Sequence, residues 1–418
     1  MKTMDGWEEK RLTELAEFIN GYAFKPSDWG KDGLPIVRIE QLKNPDAPTD
    51  YFSGKLPPAY IVEDGDLIFS WSASLFLRIW NYGRAVLNQH LFKVVEREGV
   101  DRVFLKSFIE FYLPELTKAS HGSTMQHITR KELEGFKALF PISKREQTKI
   151  ADILATVDRA IEQTEALIAK KRRIKAGLLQ DLLTRGIDEQ GNIRSEQTHK
   201  FKDSPLGRIP EEWEIKTLAE LAQVDRGKFT HRPRNDPRFY GGEYPFIQTS
   251  DVTSNVGRTV VSYTQTLNEH GVKVSKEFPA GTIAITIAAN IADTAILGIP
   301  MYFPDSIVGA IVYQPNNIRF VELVIRKWKP LLEYLAPQSA QKNINLEVLR
   351  PLPIPCPSPE EQKRIGDLYD TMDLEQERTE QGLRKLVSIK TALMQDLLTG
   401  KKRVTNMSNE TEAMRGEA

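Results

Sequence analysis

Five cations crowd one stretch of the chain. From Arg226 it reads RGKFTHRPRNDPRFYGG, setting Arg226, Lys228, Arg232, Arg234 and Arg238 against a single acid, Asp236. Arginine and lysine bind phosphate oxygens through charge, and the forked guanidinium also reads a guanine edge. The stretch is therefore a candidate nucleic-acid contact, with a solvated basic loop as the bland alternative. Three smaller polar clusters join it: Asn88-Gln89-His90, Gln126-His127 in the run MQHITR, and Lys342-Asn343. Amide side chains match the N6/N7 edge of adenine. Short polar runs beside apolar ones are also ordinary turns or caps, and that reading stays open. Trp71 and Trp80 lie in strand-like runs and read as core rather than as stacking platforms.

Catalytic chemistry finds no foothold in the sequence. Gly227-Lys228-Phe229-Thr230 is the nearest approach to a phosphate-binding loop, and it lacks the upstream glycine and the adjacent hydroxyl. No GxGxxG occurs, and Asn44-Pro45-Asp46 does not make the Asn/Asp-Pro-Pro-aromatic motif of an adenine methyltransferase. The acids show no nuclease-like spacing. His90, His121, His127, His199, His231 and His270, with Cys356, form no zinc-ligand pattern. The expectation is a chain without catalytic residues, metal or cofactor of its own.

The elements that position these residues are duplicated. Leu178 to Thr184 reads LLQDLLT, and Leu393 to Thr399 reads LMQDLLT. Each closes a long helical pattern opened by REQTKIADI from Arg145 or EEQKRIGDL from Glu360. Upstream, Gln126-His127-Ile128-Thr129 matches Lys342-Asn343-Ile344-Asn345. Trp7, Leu12, Glu14, Leu15 and Ala16 recur as Trp213, Leu218, Glu220, Leu221 and Ala222. A repeat this long means two copies of one unit, each a globular part followed by a helix.

The resulting organisation has six parts. Residues 1–143 form a mixed domain with strand-like runs LPIVRI, DLIFSW and HLFKVV and a helix from Arg102 to Lys118. Residues 144–184 form a helix with Leu167, Ile168 and Ile174 among its seam positions. A polar linker covers 185–206, and a second mixed domain covers 207–357. A second helix covers 358–400, with Ile389 on its seam, and residues 401–418 form a disordered tail. About 40 residues of helix span roughly 60 Å, more than either domain needs for its own core. Matched seams favour antiparallel packing of the two helices, as a spacer.

Composition sets the compartment. Lys+Arg and Asp+Glu balance at 57 each, so any basic surface is local. A single cysteine argues against a disulfide framework and for a reducing compartment. The start MKTMDGWEEKRL lacks an apolar signal core, and the apolar run from Thr282 is broken by Asn290, Asp293 and Pro300. The expectation is a cytoplasmic chain with no membrane partner.

Taken together, the chain resembles the specificity subunit of a type I restriction-modification system. The likeness is carried by GYAFKPSDW from Gly21, GLPIVRIEQL from Gly33, DGDLIFSWSAS from Asp64, LNQHLFKVV from Leu87 and HGSTMQHITRKEL from His121. In the second half GGEYPFIQTSDV from Gly241, PAGTIAITIAAN from Pro279 and AQKNINLEVLRPLPIP from Ala340 carry it. Their doubled order, rather than any one motif, is specific.

The resemblance implies an α+β architecture. Two mixed α/β target-recognition domains are separated by two long antiparallel helices that form a coiled coil. Each domain reads one half of an asymmetric bipartite target in double-stranded DNA. The helices set the unread gap and dock two copies of a modification subunit. Restriction subunits add translocation and cleavage. S-adenosylmethionine, ATP and Mg are expected in those partners. The alternatives from the residues alone are a stand-alone methyltransferase or nuclease and a coiled-coil scaffold.

Overall fold

A computed structural model describes residues 5–118, 128, 130–288, 290–336 and 343–404. Gln126, His127 and Lys342 lie outside the described residues. Two compact units emerge: Met1–Leu167 with Thr379–Ala418, and Ile168–Arg378. Each unit thus holds the beginning of one long helix and the end of the other.

In the first unit, Ala16–Asn20, Leu91–Glu96, Leu67–Ser70 and Phe76–Ile79 form an antiparallel four-stranded sheet in that order. A second sheet orders Tyr51–Phe52, Leu34–Val37, Ala85–Leu87 and Ile61–Val62, with Leu34–Val37 parallel to Ala85–Leu87. The helix Arg102–Lys118 buries Phe104 and Phe108, whose rings meet Phe140 edge-on at 5.3 and 5.2 Å. Ile150 and Leu154 of one long helix, Leu397 at the end of the other and Leu398 just beyond it complete that core.

The second unit repeats the plan with other residues. Its larger sheet orders Ala222–Arg226, Ile307–Val312, Ile283–Thr286, Thr294–Leu297 and Thr259–Val260. Its smaller sheet again contains a parallel pair, Tyr240–Phe246 beside Met301–Phe303. Trp7–Arg11 pairs with Lys137–Pro141 in the first unit as Glu214–Thr217 pairs with Pro353–Cys356 in the second. Ile128 and Ile344 are both buried, and their N–H groups donate to Trp71 and Ile287 carbonyls at 3.0 Å in each case. Trp80 is buried, and half-buried Trp71 stands 5.6 Å from Phe92, so both belong to the core.

The long helices run Lys144–Leu182 and Pro359–Leu397, 39 residues each. Their pairing is antiparallel in both units. Lys390 binds Asp158 at 2.6 Å in the first; in the second, Lys171 meets Glu375 at 3.7 Å and Lys175 pairs with Asp373. Three expected seam residues are not in the seam: Leu167, Ile174 and Ile389 are exposed. The inward positions alternate by three and four from Ile150 to Leu182, which brings Thr164, Lys171 and Lys175 inward instead. Lysine stems cover the apolar groove while their ammonium groups find acids on the facing helix.

The polar linker 185–206 carries structure of its own: Ile187 and Arg194 are buried, and Phe201–Lys202 pairs with Ile209–Pro210. Positions 401–404 are ordered as well, with Val404 buried. The rest of the expected disordered tail, 405–418, lies outside the described residues.

Candidate nucleic-acid interface

The basic stretch leaves the edge strand Ala222–Arg226 and turns on Gly227. A Cβ there would lie 2.1 Å from the Pro304 carbonyl oxygen, so only glycine permits this close approach. The loop beyond is fixed from beneath. Phe229 is buried and stacks on Tyr240 at 5.8 Å. The Tyr240 hydroxyl donates to the Arg234 carbonyl, and the Asn268 amide donates to the Arg238 and Tyr240 carbonyls at 3.1 Å each. The cations are exposed on a backbone that is already ordered.

Among the described residues, Asp305 joins Asp236 in facing them. Asp305 was invisible in the sequence because it arrives from the turn before Ile307–Val312. Its carboxylate binds Arg232 at 2.7 Å and pairs with Arg234, and its carbonyl accepts from Arg226 Nε at 2.5 Å. Asp236 instead takes Arg238, with Nη2 to Oδ2 at 2.6 Å, and His231 at 3.2 Å. The Arg238 side chain, then its backbone N–H, holds the Asp236 carboxyl well below the usual carboxylate range. Lys228 is exposed, with its backbone N–H bound to the Phe303 carbonyl at 3.0 Å. Arg226, Arg232 and Arg234 thus gather around Asp305, while Arg238 is held apart on Asp236.

Asn88, Gln89 and His90 form a turn in the first unit. Asn88 is buried, and its Oδ1 accepts the His90 N–H at 3.2 Å. That is the structural role a turn demands. Gln89 and His90 are exposed, with the His90 ring 6.0 Å from Trp71. Asn343 is exposed and makes a single bridge to Ala288. Among the described residues no group of three or more His, Cys, Asp or Glu is placed to hold a metal ion. Nor is any described helix long and apolar enough to cross a membrane.

Residues 4–170 and 210–387 match the model of the type I restriction modification DNA specificity domain. The chain belongs to this family. Among curated relatives of the specificity family, the type I restriction enzyme MjaVIII specificity subunit of Methanocaldococcus jannaschii is 25% identical, over 98% of this chain and 96% of the relative. The EcoBI specificity subunit of Escherichia coli is 24% identical, over 95% of this chain and 86% of the relative. The crystal structure of a type I restriction-modification S subunit from M. genitalium shares the fold, with a TM-score of 0.59 and 14% identity over 95% of this chain and 98% of that one. The two matched stretches of the specificity model fall on the two copies of the repeat, each covering one mixed domain and much of the long helix that follows it.

Proposed function

We propose that this chain selects the DNA target of a type I restriction-modification complex and catalyses no step itself. One observation carries the reading: the specificity-domain match occurs twice, and the second copy presents an ordered, cation-rich loop suited to phosphate and base contact. Each domain reads one half of an asymmetric bipartite sequence. Two modification subunits dock on the long helices, and restriction subunits join them. S-adenosylmethionine, ATP and Mg belong to those partners, and the assembly works in the cytoplasm, where the DNA is. Adenine methylation requires the target base to leave the stack. A reader gripping the flanking half-site positions the partner for that step.

Comparing methylated motifs in cells with and without the gene tests the proposal. The expected result is one bipartite motif that disappears with the gene. Labelled S-adenosylmethionine supplies the second arm. Methyl transfer to DNA by the purified chain, with no added subunit, overturns the non-catalytic reading.

A further inference from the structure

We propose that Asn20, Tyr22 and Gln89 form the base-reading surface of the first domain, and that they read by neutral contacts where the second domain uses cations. This rests on the function proposed above and names the residues that would carry it in the first half.

Backbone register makes the assignment. Asn20 pairs with Phe92 in the first unit as Arg226 pairs with Val308 in the second. One residue on, Gly21 N–H donates to the Leu91 carbonyl at 3.0 Å, and Gly227 N–H to the Ile307 carbonyl at 2.8 Å. One further, Tyr22 N–H donates to the Leu87 carbonyl at 2.7 Å, and Lys228 N–H to the Phe303 carbonyl at 3.0 Å. Both glycines are pressed against the intervening turn: an added Cβ would lie 2.1 Å from the Asn88 oxygen in one unit and 2.1 Å from the Pro304 oxygen in the other. The turn Asn88–His90 is therefore the counterpart of Pro304–Ser306, and Gln89 is the counterpart of Asp305.

Three positions thus change chemistry on one frame. Arg226 becomes Asn20, Lys228 becomes Tyr22, and Asp305 becomes Gln89. Every charge is replaced by an amide or an aromatic ring. Asn20, Tyr22 and Gln89 are all exposed. Tyr22 is braced edge-on by Phe24 at 5.0 Å and Tyr60 at 5.5 Å, which fixes its ring without burying it. A glutamine amide donates to and accepts from the adenine N6/N7 edge, and an apolar ring face suits the thymine methyl. The chemistry fits a half-site with adenine and thymine at the contacted positions. Contacts of this kind release no counterions, so they add nothing to the salt dependence of binding.

The test uses the complex assembled with its modification subunits. Duplex binding is measured across salt concentrations, and methylated motifs are sequenced in cells. The wild-type motif and its dependence on this chain come first; their absence defeats the proposed function itself. Given that motif, Asn20→Ala/Tyr22→Ala/Gln89→Ala is expected to lose roughly tenfold or more of the discrimination at one half-site. Its salt slope stays that of wild type. Arg226→Ala/Lys228→Ala is expected to relax the other half and reduce the slope by about two units. Gln89→Glu, a change of one surface atom that leaves the fold alone, should shift preference from adenine toward cytosine at one position. Unchanged discrimination at both half-sites in the triple variant and in Gln89→Glu overturns the assignment. So does a fall of a unit or more in the triple variant's salt slope.

Discussion

Arg194 grips Glu361 with both ends of its guanidinium, Nη1 to Oε1 at 2.5 Å and Nη2 to Oε2 at 3.1 Å. The same carboxylate accepts the Trp213 indole N–H at 3.2 Å and the Ile187 backbone N–H at 2.9 Å. The first unit has its own version: Arg403 binds Glu146 through Nε at 2.7 Å and Nη2 at 2.9 Å. In both units the arginine follows the end of one long helix and the glutamate lies in the opening turn of the other. The neighbouring amides complete the joint. Gln147 Nε2 donates to the Pro141 carbonyl at 2.9 Å, and Gln362 Nε2 to the Pro357 carbonyl at 3.0 Å. The repeated Glu-Gln of the sequence is thus the clamp that seats each helix on its domain.

Removing Arg194 leaves a buried carboxylate without its counter-ion, whereas removing Glu361 leaves Arg194 still paired with Glu212 at 2.8 Å. Arg194→Ala is expected to cost about 3–5 kcal/mol and Glu361→Ala less, against far less still for a double change to apolar residues of similar volume. Arg403→Ala should cost less than Arg194→Ala, because the Arg403 side chain is 23% exposed and that of Arg194 only 8%. Denaturant unfolding followed by tryptophan fluorescence, run as a double-mutant cycle, checks the ranking. Equal and small losses for all single variants would mean that the clamp is only a contact.

Glycine substitutions should move stability in opposite directions. Gly186 has φ +66°, and a Cβ there would lie 2.1 Å from Glu361 Oε1 and 2.4 Å from the Trp213 ring. Gly186→Ala is expected to lower Tm, with about 1–2 kcal/mol from backbone strain alone. Gly177 sits inside the first long helix with nothing within 4 Å of its missing Cβ. Gly177→Ala should raise stability by about 0.5–1 kcal/mol. A fall in Tm for both variants would contradict the second half of this.

Much of the fold was legible because its signals are local. The helix Arg102–Lys118 and both long helices fall within three residues of the sequence reading, since each has an unbroken periodic pattern. The seam was harder. Searching for apolar residues selects Leu167 and Ile174, whereas the seam is set by strict heptad spacing and accepts Lys171 and Lys175. Asp305 was missed for a different reason. It lies 67 residues beyond Arg238 in the chain, and only sheet topology brings it to Arg232 and Arg234. Arg194 was hidden in the same way, inside a segment whose polar composition reads as linker.

The Asp236 carboxyl gives a pH prediction. Its folded-state pKa is depressed, first by the Arg238 side-chain hydrogen bond. A depressed carboxyl contributes stability above its unfolded pKa, and loses it only as pH falls through the lower folded value. The Asp236–Arg238 contact is therefore expected to survive at pH 5 and to fail well below the ordinary carboxylate range. Asp236→Asn at pH 7 should strengthen salt-dependent DNA binding by releasing Arg238. An unchanged salt slope in Asp236→Asn at pH 7 would refute the assignment.

Asp305 is expected to govern how the cation cluster meets DNA, because it contacts three of the five cations. Its half-buried carboxylate holds both Arg232 and Arg234. An arginine oriented by a carboxylate presents its remaining donors in a fixed direction, which base reading requires. A free arginine finds whichever phosphate is nearest. Asp305→Asn removes a negative charge and releases both guanidinium groups. Affinity in low salt should therefore rise, and the salt slope should steepen by about one to two units, roughly 0.9 for each new phosphate contact. Selectivity at that half-site should fall at the same time. Changing Arg226, Lys228, Arg232, Arg234 and Arg238 together to alanine should do the reverse to the slope while also losing selectivity. Salt-titrated binding of the assembled complex to native and half-site-scrambled duplexes reads both quantities. Steeper salt dependence with intact selectivity would show that Asp305 merely offsets charge. Wild-type behaviour in the five-fold variant would reduce the whole cluster to a solvated loop.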